Sequence, residues 1–355
     1  MRKRAVSLRA PLRRLRKAGG LPLSALLIFS SLATAQAPSA PAPAPDDSVA
    51  APEQGAAAAS GADATTGFGP ADSGRTDVNH WLEKLSRAVT GLEYSGLVTF
   101  EHAGVLETLE VVHAVREGQQ VERVRYLSGE PRELISHGSS DSCERTGNPL
   151  ARTELWRGAS SADVQQTYHF ILRGSERIAD RDAVVIEARP RDRDRLGMVV
   201  SLDRETGLPL KSMLVGTQGR VLERYQFVRL DLSPIQDTEL EPKSDSARRI
   251  DNSGACALAQ SRWQLGWLPA GFEPVSVRPL ADGDMLVFSD GLSVFTVFVQ
   301  RLGPELDFKG RAIRGATVAY MDRIEVDGVD YTVTVVGEIP DTTARRVAGS
   351  VSASG

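Results

Sequence analysis

Between residues 94 and 230 short alternating segments follow one another with turn residues between them, and this pattern limits the chain more than anything else in it. The segments are Tyr94–Glu101, Val105–Val115, Val121–Leu127, Arg132–His137, Asp182–Ala188, Gly197–Asp203, Leu208–Val215 and Arg220–Leu230. Side chains of a strand point alternately to opposite faces, so each segment can cover a core with one face only. Thr206-Gly207 and Gln218-Gly219 supply hairpin turns. Ahead of them Asp77–Thr90 has helical spacing, with Leu82, Leu85 and Val89 on one side and Trp81 at the edge. Leu155–His169 allows a second helix. A helix followed by a long antiparallel meander implies an α+β fold: a strongly curved sheet or unclosed β-barrel, with helices on its concave side.

The last third of the chain has its own pattern. FSDGLSVFTVFV (Phe288–Val299) reads as a hairpin, Met285–Phe288 and Leu292–Gln300 about the turn pair Asp290-Gly291. In the second strand Leu292, Val294 and Phe298 point one way and Phe295, Val297 and Val299 the other. Both faces are apolar, so the strand is either central and buried on both sides, or one face is covered by a partner. Tyr331–Glu338 is a further strand, rich in β-branched residues. Pro340 ends it, Asp341 is a good N-cap, and Ala344, Val347, Ala348 and Val351 form an apolar helical stripe. Arg345 and Arg346 fall on the solvent side, as a hydrated face or as a contact for an acidic segment. This gives a smaller C-terminal α+β domain.

Composition divides the rest. Residues 1–35 hold eight Lys/Arg, the apolar run Leu21–Leu32 and an A-x-A site ending at Ala35, the pattern of a cleavable secretory signal. The run is shorter than the roughly 20 apolar residues that span a bilayer. The chain has 42 basic and 46 acidic residues; without the eight of the signal, 34 basic face 46 acidic, a net charge of −12. Such an acidic exported chain is a poor nucleic-acid binder. Residues 36–76 open with an Ala/Pro/Ser/Gly tract that cannot build a core, a disordered spacer. The large domain is read as 77–232, the polar segment 233–260 as a linker, and 261–351 as the small domain. The two are taken as separable, so that deletion from Ser261 onward leaves the large domain folded.

Residues that could carry chemistry are sparse. The five histidines (His80, His102, His113, His137, His169) show no metal-ligand spacing, and neither cysteine has a CxxC partner. No catalytic constellation, metal site or cofactor site is expected. RPRDRDR (Arg189–Arg195) reads as a solvated turn, or as part of a contact with an anionic headgroup or peptide. Cys143 and Cys256 form an even pair in an exported chain; a disulfide between them would stabilise by about 4–5 kcal/mol in the chain-entropy account. Two free thiols are the alternative.

The strings WLPAGF (Trp267–Phe272), SDGLSVFTVFV and TVVGEIPDTTARRVA resemble the MucB/RseB family, periplasmic regulators of the envelope-stress sigma factor. The likeness extends to GLEYSGLVTFEH (Gly91–His102), SERIADRDAVVIEARPRDRDRLG (Ser175–Gly197) and LDRETGLPLKSMLVGTQGRVLERYQF (Leu202–Phe227), and so covers most of Asp77–Val351. Members tend to have aromatic residues where this chain has RDRLGM (Arg193–Met198). The resemblance implies a fold shared with periplasmic lipoprotein carriers, with a hydrophobic cavity between sheet and helices. It implies capture of the periplasmic segment of a single-span anti-sigma factor, protection of that segment from site-1 proteolysis, and release by lipopolysaccharide or lipoprotein acyl chains. It leaves homo-oligomerisation open. Candidate partner contacts are Ser289, Asp290, Gly291, Phe295, Phe298, Val335 and Arg345; candidate cavity residues are Leu97, Phe100, Val112, Tyr126, Ile186 and Val200. The rival reading is a periplasmic lipid or lipoprotein carrier, which would not need the second domain.

Overall fold

Two antiparallel sheets, one large and one small, organise the computed structural model, which describes residues 72–138, 156–251, 261–303 and 309–354. The secretory signal, Cys143 and Cys256 lie outside the described residues. Helix α1 (Asp72–Gly91) leads into strands β1 (Tyr94–His102), β2 (Val105–Arg116), β3 (Gln119–Tyr126) and β4 (Glu133–Gly138). After a 3-10 turn at Trp156–Gly158 come α2 (Ala162–Thr167), β5 (Tyr168–Ile178), β6 (Arg181–Pro190), β7 (Gly197–Asp203), β8 (Pro209–Val215) and β9 (Val221–Asp231). The expected second helix is therefore shorter than Leu155–His169, and its last two residues already belong to a strand.

The large sheet runs β4-β3-β2-β1-β9-β8-β7-β6-β5, with a tenth strand, β10 (Ala247–Asp251), added parallel to β4. Its ends, β10 and β5, do not pair, so the barrel stays open. The sheet curls enough for β5 to approach β9 across three intervening strands. Leu82, Leu85 and Val89 of α1 are buried against Ile186, Val200 and Leu202 of β6 and β7. Each full burial of this kind contributes about 1.5–3 kcal/mol, and the helix is held on the sheet by that stripe.

The segment read as a linker is stitched to the outer side of this sheet. Its short helix α3 (Asp237–Leu240) lies against β2 and β3. Arg123 Nε donates to the Glu239 carbonyl at 2.6 Å, and the Lys243 amide donates to Glu133 at 3.0 Å. Ile235 packs on Val112 and Ala114. The 233–260 segment is thus no free spacer over its described part, because several of its backbone groups bond to side chains and strands of the sheet.

The small sheet has the order β12-β13-β14-β17-β16-β15: β12 (Glu273–Leu280), β13 (Gly283–Ser289), β14 (Val294–Arg301), β17 (Val329–Gly337), β16 (Thr317–Val326) and β15 (Gly310–Arg314). Helix α4 (Asp341–Ala348) covers one face over β16 and β17, burying Ala344, Val347 and Ala348. Val351 belongs not to the helix but to β18 (Val351–Ala353), which pairs with β11 (Trp263–Leu265). Asp341 is the first helical residue instead of the cap: the Thr343 and Ala344 amides donate to the Pro340 carbonyl.

Candidate functional site

The turn between β13 and β14 is built to enter the large domain. Asp290 Oδ1 accepts the amides of Leu292 (2.9 Å) and Ser293 (2.7 Å), which closes a four-residue turn. Gly291 takes φ +93°, and a Cβ there would lie 2.6 Å from Val164 Cγ2 of α2. Only glycine combines that backbone with so close an approach. Leu292 leaves the strand and joins the large domain's core with Val164, Tyr168 and Leu196.

Opposite the turn stands Arg195, whose side chain is fully buried. Asp192 folds its own loop by accepting the Asp194 amide at 3.0 Å, and takes Arg195 Nε at 3.1 Å and Nη2 at 2.9 Å. Arg195 Nη1 donates to Asp290 Oδ2 at 2.5 Å, and Nη2 also reaches the Ala270 carbonyl. Tyr168 donates its hydroxyl to the same Asp290 oxygen at 3.1 Å. The guanidinium lies 5.2 Å from the Phe272 ring centroid and 5.4 Å from that of Tyr168. Burial draws the Arg195 pKa down, but Asp192 and Asp290 outweigh it and hold the value above the ordinary one. Burial pushes the Asp290 carboxyl up, against the pull of Arg195 and the two amides. The Tyr168 hydroxyl is raised well above its usual range, by burial and then by Asp290. Farther along the seam, the Ala316 amide donates to Glu223 at 3.2 Å and Ala316 joins the large domain's core.

The candidate partner residues are not brought together. Asp290 and Gly291 belong to this internal seam, and Ser289 Oγ donates to the Ser293 carbonyl within the turn. Phe295 and Val335 are fully buried in the small core, which corrects their assignment as contacts: a side chain without exposed surface serves a partner only by holding its strand. Phe298 is half-buried on the opposite face, beside Met285 and Thr334, its register partners on β13 and β17. The second face of β14 is neither sealed like the first nor covered by α4.

The cavity candidates likewise divide between faces. Ile186 and Val200 are packed under α1, and Phe100 belongs to a second inner cluster with Val98 and Leu109. Tyr126 sits at the rim of that cluster with the Arg132 guanidinium 3.8 Å over its ring. Leu97 and Val112 face outward, being an odd number of residues from Phe100 and from inward-facing Val111, respectively. They cannot line one cavity with the others.

Arg345 borders a surface concavity of about 380 Å³ between α4 and β15, with Arg311, Tyr320, Asp341 and Thr342. Arg311 pairs with Asp341. Sequence reasoning missed Arg195, Tyr168, Arg311 and Tyr320, since no local spacing marks them. Among the described residues no group of three or more His, Cys, Asp or Glu could hold a metal ion, and no helix is long and apolar enough to cross a membrane.

Two family models match the chain: the MucB/RseB N-terminal domain over residues 77–244 and the MucB/RseB C-terminal domain over 257–352. The chain belongs to the MucB/RseB family. It is 33% identical over 289 residues to the Pseudomonas aeruginosa sigma factor AlgU regulatory protein MucB, covering 78% of this chain and 90% of that protein. It is 27% identical over 294 residues to the Escherichia coli sigma-E factor regulatory protein RseB, covering 76% and 89%. The structure of the P. aeruginosa MucA/MucB complex aligns with a TM-score of 0.64 at 31% identity, over 79% of this chain and 99% of that one. A structure of MucB in complex with MucA(peri) aligns with a TM-score of 0.62 at 30% identity, over 78% and 98%. In this MucB/RseB-family protein the seam through Arg195 joins the portions matched by the two models.

Proposed function

We propose that this protein works in the periplasm as a regulatory binding protein: it captures the periplasmic segment of a membrane-spanning anti-sigma factor and shields it from the site-1 protease, so restraining the envelope-stress sigma factor. The observation that carries the reading is the likeness, over nearly four-fifths of the chain, to MucB in its complexes with MucA and with MucA(peri). Mechanistically, protection asks only for occupancy. A peptide fixed on a folded surface cannot extend into a protease cleft, and no bond need be made or broken.

Release by lipopolysaccharide or lipoprotein acyl chains is the second half of the proposal. A lipid that binds the partner-free form more tightly displaces the segment by mass action. The curled sheet with its inner apolar clusters is the part of the molecule suited to receive an acyl chain.

The test is a protease-protection assay on the purified periplasmic segment, with and without the mature protein, then with lipid A added. Protection that lipid A abolishes is the expected result. Cleavage at the same rate with and without the protein overturns the capture reading; protection that survives a broad lipid titration removes the sensing half alone.

A further inference from the structure

We propose that the outer edge of β15, with the groove between it and α4, is where an acidic, extended segment of a second polypeptide adds as a seventh strand of the small sheet. The four outermost strands of the two sheets differ in how they are guarded. β5 breaks its register at a bulge between Leu172 and Gly174. β12 carries Pro274 and Pro279 and a bulge between Pro274 and Ser276. β10 presents Arg248 and Arg249 with no exposed large apolar side chain. β15 is regular from Gly310 to Arg314, has no proline, and leaves Ile313 54% exposed. Such an edge, unpaired among the described residues, offers backbone groups together with an apolar grip, which is what strand addition uses.

Register gives the chemistry of the occupant. Arg311 and Ile313 pair with Tyr320 and Val318 and so lie on the α4 side, where Arg311 lines the concavity shared with Arg345. Ala312 and Arg314 lie on the other side and are exposed. Within a chain whose net charge is −12 after the signal, this edge and its groove gather three exposed arginines, of which, among the described residues, Arg311 alone is paired, with Asp341. A second copy of the chain would crowd the arginines of both edges, Arg311 and Arg314 twice over, into one seam, and like charges brought together there destabilise. An acidic strand with an apolar residue for Ile313 meets both features. The proposal rests on the anti-sigma capture described above and names its surface.

Amide hydrogen exchange on the mature protein, with and without the purified anti-sigma periplasmic segment, is the direct measurement. Slowed exchange at Gly310–Arg314 on adding the segment is expected. In parallel, Arg314→Glu/Arg345→Glu should weaken binding about tenfold or more and flatten its salt dependence. The charge-matched control Arg229→Glu/Arg249→Glu, on the large domain, should bind within about twofold of the natural protein. Unchanged exchange at β15 under saturating segment, or equal losses in the two double variants, overturns the surface while leaving capture intact. Slowing at β15 that depends on protein concentration alone overturns it in favour of self-association. Absence of any binding by the natural protein overturns capture and this surface together.

Discussion

Arg195 sits in RPRDRDR, a run whose composition says hydrated turn, yet its side chain has no exposed area. What reverses the expectation is pairing: Asp192 from its own loop, Asp290 from the small domain and the Ala270 carbonyl satisfy the guanidinium in place of water. Removing one member of a buried pair leaves the other charge uncompensated, a loss of about 3–5 kcal/mol. Arg195→Met should therefore destabilise strongly. Asp290→Asn should cost less, because Asp192 still answers the arginine. The double variant should lose less than the sum of the two. Chemical denaturation of the three variants measures this; strictly additive losses would show that the two side chains are not energetically coupled. None of this is visible locally. Positions 192, 195 and 290 were readable as charged residues, but the partner of a charge 95 residues away is a property of the tertiary fold.

At the level of elements, alternation and turn residues located most of the meander, and Gly207 and Gly219 do adopt positive φ at the expected turns. The helical stripes of α1 and α4 were likewise legible, apart from Val351. β5 escaped because it is an edge strand with mixed exposure, so neither period dominates its sequence. β10 escaped because ARRID, three charged residues with an alanine and an isoleucine, became a strand only by meeting β4. The β7–β8 turn shows how a short connection is fixed electrostatically. Asp203 accepts Arg181 Nε and Nη2 at 2.9 Å, together with the Thr206 amide and hydroxyl. Burial alone would raise its pKa, but Arg181 and Thr206 outweigh burial and hold it below the ordinary aspartate value. A depressed carboxylate contributes stability that is complete above the unfolded value and vanishes as pH falls through the folded one. In that acid window the unfolded chain binds more protons, so stability should rise with pH. Asp203→Asn should flatten that part of the curve, as followed by thermal unfolding from pH 2 to 6; an unaltered slope would assign the acid sensitivity to other carboxylates.

On the scale of the whole molecule, the expectation of two separable domains meets the seam. Leu292 and Ala316 of the small domain are core residues of the large one. Truncation at Ser261 strips them away and leaves Arg195 without Asp290 and Ala270. The large domain alone should melt about 10 °C or more below the full protein, while the full protein melts in one cooperative step. Two resolved transitions in calorimetry, the first matching the truncated form, would restore the picture of independent units. Within the second domain, β18 zips onto β11, setting Trp263 opposite Ala353. The start and finish of the second domain are thereby neighbours, as the two ends of a clasp are. A circularly permuted version, joined there and reopened at the exposed Asp327-Gly328 bend, would preserve every strand pairing of that domain while freeing its tail from the chain's natural order.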